Sequence, residues 1–370
     1  MSKFLDTFEQ LDDVLLLGGG GGFDVFLALP LYRYFARKAR HVEIASYSFT
    51  DDLYKYPKAF DKTPFITKID SYTKRTKKNK DYFPEHDLSS HLKTPIYAIR
   101  QIPPDVLAQN LNQLLQETKC KTIIALDAGF DGLMYGYERH ENKTYYASPL
   151  EDMACLIALV KLQKMKICNV FWVCASAPTE GIPFSFFYRN LADQIHEGGF
   201  KGCLFPFTDN EEKFDYAELL DRVNPLVRSI PNESILACLF GGNNQTHLTN
   251  KRLIERFENE NPEKKVDVSE YPPVFPLTGI YWFFDVEILR SRSPLVKYLY
   301  ANVFRQSKYF LSEMDIFNGS LTVDDSTHAK KMINFHEQIR IVFEHYDESI
   351  TKPEQQFKHL MDLNKWIGYE

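Results

Sequence analysis

Five consecutive glycines, Gly18 to Gly22, separate an apolar run ending at Leu17 from a long amphipathic stretch that begins at Phe23. Glycine loses more backbone entropy on folding than any other residue, so five in a row call for a geometric reason. A tight strand-to-helix turn supplies one. Its N–H groups can face a ligand, and the helix behind it offers a positively polarised end to an anion. Gly18, Gly19, Gly20, Gly21 and Gly22 are therefore candidate ligand-binding positions, with Asp24 either capping the helix or facing the ligand. A close-packed turn without a ligand is the competing reading.

Beyond the turn, short apolar runs alternate with longer amphipathic segments, the pattern of βαβ units. Strands are expected at 13–17, 42–47, 96–99, 122–126, 169–174, 202–205, 235–240 and 279–284. Helices are expected at 104–118, 150–162, 184–197, 216–229 and 247–259. In the first of these, Val106, Leu107, Leu111, Leu114 and Leu115 recur at spacings of three and four, which marks one buried face. The whole reads as an α/β fold. Its body, residues 1–325, is expected to be a three-layer, Rossmann-like, mainly parallel sheet, with a polar insertion or lid near 51–92. Residues 326–370 read as a helical C-terminal extension of two amphipathic helices packed on that body; a dimer-forming arm, and hence a homo-oligomer, is the alternative. Pro30 lies inside the stretch after the glycines and is expected to kink its helix, because the apolar pattern runs across it.

A net charge of −6 and a pI near 6.0 argue against nucleic acid as a partner, since backbone phosphates demand a basic face. The run Lys74, Arg75, Lys77, Lys78 and Lys80 reads as a solvated loop. Six scattered cysteines form no CxxC pair, which fits thiols in a reducing, cytoplasmic setting. The acidic N-terminal stretch does not resemble a signal peptide, and no apolar run approaches the roughly 20 residues of a bilayer span.

A second constellation follows the strand ending near Asp127. Asp127, Gly129, Asp131 and Glu138 precede Ser148 and Asp152, and the GGFD of 21–24 is echoed by AGFD at 128–131. Carboxylates at the carboxyl ends of strands lie where open α/β sheets bind ligands. Asp127 and Asp131 are candidate metal ligands, for Mg2+ in particular, and Asp127, Asp131 and Glu138 are candidate catalytic carboxylates. Gly129, Ser148 and Asp152 are candidate ligand contacts; the run S-P-L-E-D, from Ser148 to Asp152, equally reads as a capped helix start. Two further strand ends contribute Glu180 as a catalytic candidate and Gly241, Gly242, Asn243 and Asn244 as ligand contacts. Cys174 reads as a buried thiol, not as a nucleophile.

The familiar catalytic patterns are missing. Counted from Gly18, Gly19 or Gly20, a G-x-G-x-x-G fingerprint ends on Phe23, Asp24 or Val25, and no G-K-[ST] closes the turn. No H-E-x-x-H, G-x-S-x-G or EF-hand pattern occurs.

Taken together, GGGGGFDVFLALPLYRYF and the later Asp127, Gly129, Asp131, Gly136, Glu138, Ser148, Pro149 and Asp152 make the chain similar to the family called domain of unknown function 1152. The resemblance spans roughly residues 10–300, departs from the pattern at Ala128 and Phe130, and implies a glycine-rich-loop fold but no activity. The leading functional expectation is an enzyme that holds a nucleotide or phosphorylated sugar at the glycine turn and uses carboxylates, with a metal, for hydrolysis or transfer. A non-catalytic nucleotide sensor and a protein-interaction scaffold are the alternatives.

Overall fold

The computed structural model describes residues 3–38, 40–137, 149–176, 184–223, 229–240, 277–301, 347 and 349–366. Within them an eight-stranded sheet is built from β1 (Val14–Gly18), β2 (Val42–Tyr47), β3 (Ile66–Ile69), β4 (Ile96–Ile99), β5 (Thr122–Ala128), β6 (Asn169–Ala175), β7 (Phe200–Leu204) and β8 (Tyr281–Phe284). Their order is β3-β4-β2-β1-β5-β6-β8-β7. The five central strands, β4 to β6 in that order, run parallel, while β3, β7 and β8 pair antiparallel at the two margins. The fold is α/β with a mixed, mostly parallel sheet.

Eleven α-helices are described: α1 (Lys3–Glu9), α2 (Ala28–Arg37), α3 (Pro84–Leu92), α4 (Pro104–Thr118), α5 (Pro149–Lys164), α6 (Phe184–His196), α7 (Asn210–Asp221), α8 (Ile230–Leu239), α9 (Val286–Arg292), α10 (Pro294–Leu299) and α11 (Pro353–Trp366). Side chains alternate along a strand, so β1 divides its residues between two apolar clusters. Leu15 and Leu17 join α4 and α5 residues such as Leu111 and Leu156; Val14 and Leu16 join Leu29, Phe35 and Tyr216 from α2 and α7. β1 is buried along its whole length, as a central parallel strand must be.

Five expectations need correction or refinement. The apolar run expected as a strand at 235–240 lies in α8 instead. Ser229 caps that helix by accepting from the Asn232 amide, and Pro231 occupies its first turn, where a missing N–H costs nothing. The helix expected at 216–229 begins earlier, where Asp209 and Glu212 form a reciprocal capping box, and it ends at Asp221. Pro30 produces no mid-helix kink: a 3-10 segment, Gly22–Leu27, precedes α2, and Pro30 falls in the first turn of α2. The polar stretch 51–92 is joined to the sheet through β3, which pairs with β4, and through α3, whose Leu88 and Leu92 enter the core. At the C-terminal end, Leu360 of α11 is fully buried with residues of α10; the helix expected around Met332 to Tyr346 lies outside the described residues. So does the helix expected at 247–259.

Among the described residues, none of the six cysteines forms a disulfide. No helix among the described residues is long and apolar enough to cross a membrane.

Candidate metal and ligand site at the ends of β1 and β5

Strand addition reverses at β1: β2 and β4 lie on one side of it, β5 and β6 on the other. The chain leaving β1 goes to α2 in one core cluster, and the chain leaving β5 leads to α5 in the other. Loops that diverge in this way open a crevice at the carboxyl ends of the strands. The register pairs Gly18 with Leu126, and the Gly19 amide extends the ladder by donating to the Leu126 carbonyl at 2.8 Å. Asp127 and Ala128 therefore emerge directly beside the glycine turn.

The glycines are explained largely by close approach. A Cβ on Gly18 would meet the Val25 backbone at 2.7 Å, and one on Gly19 the Trp172 ring at 3.3 Å. At Gly20 it would overlap carboxylate oxygens of both Asp24 and Asp152. Gly21 adopts φ +85°, a conformation that side chains disfavour, and lies against the Phe49 ring. The Gly20 amide donates to Asp24 Oδ2 at 2.8 Å. Here the anion received by the turn is the protein's own carboxylate. The Ala128 backbone, at the end of β5, also favours the ionised form of Asp24, against its burial.

Asp24, Asp127 and Asp152 each bring one carboxylate oxygen within 4.8 Å of the other two. Asp127 and Asp152 are buried, whereas Asp24 keeps partial exposure. Oδ2 of Asp127 accepts from the Gly132 amide at 3.0 Å, from the Trp172 indole at 3.3 Å and from the Cys174 thiol at 3.7 Å. A side chain at Gly132 would collide with the Trp172 indole, so that glycine lets the amide and the indole share one acceptor. Asp152 differs: its Oδ1 is buried without a hydrogen-bond partner. Such an atom ordinarily costs about 1–3 kcal/mol, more if charged.

Burial pushes Asp127 up to about 6, against the pull of its three donors. Asp24 and Asp152 are raised well above the ordinary carboxylate range, first by burial and then by neighbouring carboxylates, Asp127 and Asp131 among them. Burial also lifts Glu151 to about 8; its Oε1 accepts from the Gln101 side chain at 3.2 Å, while Oε2 has no partner. Like charges packed in this way are stable only if a proton or a cation is shared among them.

Of the residues singled out in the sequence, Asp24, Asp127, Asp131, Gly129 and Asp152 meet with the glycine turn in this one region. Asp131 stands outside the closest triad; it opens a 3-10 turn, Asp131–Leu133, and its charge raises both Asp24 and Asp152. The closest set of oxygens thus pairs Asp127 with Asp24 and Asp152. Glu138, Ser148, Glu180, Gly241, Gly242, Asn243 and Asn244 lie outside the described residues. Cys174 is the buried thiol expected of it. Sequence reasoning overlooked Glu151, Trp172 and Tyr82. Only Glu151 carried a signal: the helix start that suggested a cap also put two adjacent acids at a strand-to-helix junction.

Comparisons with protein-family models, with curated proteins and with solved structures return no match to this chain.

Proposed function

We propose that this chain is an enzyme acting on a nucleotide or a phosphorylated sugar, in which Asp24, Asp127 and Asp152 hold a divalent cation, Mg2+ first. The body is read as a three-layer, Rossmann-like fold with a helical C-terminal extension, of the domain of unknown function 1152 family, working in the cytoplasm. The observation that carries the reading is the triad itself, with three carboxylate oxygens within 4.8 Å of one another and Asp152 Oδ1 lacking any partner.

Hard divalent ions favour oxygen donors at about 2.0–2.6 Å, so ligands on opposite sides of an ion stand about 4–5 Å apart. The triad fits that span. A bound cation would offset the clustered negative charge and polarise a phosphate oxygen of the substrate. The protein's own groups do the rest. The Gly20 amide holds Asp24, while the Gly132 amide and the Trp172 indole hold Asp127. Asp131, beside the triad, takes the role of base towards a water or an acceptor hydroxyl for hydrolysis or transfer.

Thermal-shift screening against nucleotides, sugar phosphates and inorganic phosphate, each in EDTA and in Mg2+, tests the reading. A melting temperature raised by a phosphate compound only when Mg2+ is present is expected. Stabilisation by no compound in either condition contradicts it.

A further inference from the structure

Tyr82 stands at the glycine turn on a segment that the triad does not include. A Cβ on Gly22 would lie 3.3 Å from the Tyr82 hydroxyl, which places that oxygen against the turn. Three anchors fix the residue. Its ring meets Phe23 edge-on with centroids 5.2 Å apart. The next residue, Phe83, is fully buried. Glu85, in the first turn of α3, accepts from the Ser46 and Thr50 hydroxyls at 2.8 and 2.7 Å and so ties α3 to the end of β2. The Tyr82 hydroxyl makes no hydrogen bond to any described residue, and the side chain is only half-buried.

We propose that Tyr82 is a positioning residue whose hydroxyl donates to an oxygen of a phosphate group, or a like oxyanion, seated beside Asp24. The assignment rests on the metal-assisted, phosphate-binding reading given above and adds the group that orients the ligand. Burial first, and then the charges of Glu85, Asp24 and Glu151, hold the phenol well above its ordinary range, so it stays a donor at neutral pH. A neutral donor suits this place. It can approach an oxyanion without competing for the carboxylates that the cation needs, and its fixed position leaves little to reorganise when the ligand arrives.

Phosphate binding to the full-length protein loaded with Mn2+ tests the assignment. Wild type, Tyr82→Phe and Tyr32→Phe are compared by calorimetry; the Tyr32 hydroxyl pairs with Thr94 at 2.9 Å and serves as the control. Tyr82→Phe is expected to keep its melting temperature and its Mn2+ affinity, yet to lose about tenfold or more in phosphate affinity. Tyr32→Phe is expected to lose none. A tyrosine ultraviolet difference signal on phosphate addition, present in wild type and missing in Tyr82→Phe, would mark direct contact, which a purely structural role does not produce. Unchanged phosphate affinity or a missing wild-type difference signal overturns the assignment, as does failure of the Mn2+-loaded wild type to bind phosphate. Failure of the wild type to bind Mn2+ at all overturns the metal reading, and this assignment with it.

Discussion

The Gly20 amide donates to Asp24 Oδ2 at 2.8 Å, so the glycine turn holds one of the protein's own carboxylates at the place where the sequence suggests an external anion. Asp152 closes the same space from the other side, and a Cβ on Gly20 would overlap both acids. Gly20→Ala is therefore expected to push Asp24 and Asp152 apart. Its cost to the fold is about 1–3 kcal/mol, the usual price of overpacking a close contact. Mn2+ binding is expected to fall far more steeply than stability, and urea unfolding run beside Mn2+ titration checks the pair.

Stability should depend on pH in the opposite sense to that of a salt-bridged acid. Asp127 is raised from 3.8 to about 6 and Glu151 from 4.5 to about 8, so the folded protein binds these protons more tightly than the unfolded chain. Their contribution is fully present below the unfolded values and is lost as pH rises through the folded ones. In EDTA, stability is expected to fall between about pH 4 and pH 8, by on the order of 2–3 kcal/mol for Asp127 alone. Mg2+ should flatten that decline, because a cation favours the ionised acids that burial disfavours. Denaturant unfolding at pH 5 and pH 8, with and without Mg2+, reads both effects.

Trp172 offers an optical report. Its indole donates to Asp127 at 3.3 Å and lies fully buried between Gly19 and Gly132. Cation binding at the triad is expected to change tryptophan emission, and Trp172→Phe should abolish most of that change while Trp282 and Trp366 remain. Emission spectra recorded during a Mg2+ titration check it. An undiminished change in Trp172→Phe would place the response elsewhere.

Much of the sheet was legible because buried parallel strands announce themselves as short apolar runs. The expected spans at 42–47 and 96–99 coincide with β2 and β4, and β1 ends at the glycines as expected. The stretch I-L-A-C-L-F shows where this reasoning fails. A short continuous apolar run fits a strand and a buried helix equally well, and the deciding signals, Ser229 and Pro231, stood upstream of it. The polar segment hid β3, whose Lys68 is exposed while Ile66 and Ile69 are buried. At the site, Asp127 was legible as a carboxylate at a strand end; Asp24 was read as a helix cap or a ligand contact, and its bond to the Gly20 amide was not foreseen. Asp152 was legible as a ligand contact, but not as the partner of Asp24 and Asp127 in the closest set of oxygens, because that depends on β1 and β5 being neighbours and on α5 entering beside them. Trp172 resembled an ordinary core aromatic, since nothing in sequence tells an aromatic ring that packs from one that also donates, and Tyr82 lay in a segment read as polar and solvated.

The central claim is that the triad binds a divalent cation, and Asp152→Asn tests it most directly. The change removes one negative charge from a crowded, buried group and adds an amide donor facing Asp24 and Asp127. Calorimetric titration of Mn2+ and Mg2+ into wild type and Asp152→Asn is the measurement, with urea unfolding of both metal-free proteins alongside. The account predicts saturable binding by the wild type, loss of at least tenfold in affinity in the variant, and a metal-free variant at least as stable as its parent. No binding by well-folded wild-type protein, or equal affinity in the two, would contradict it.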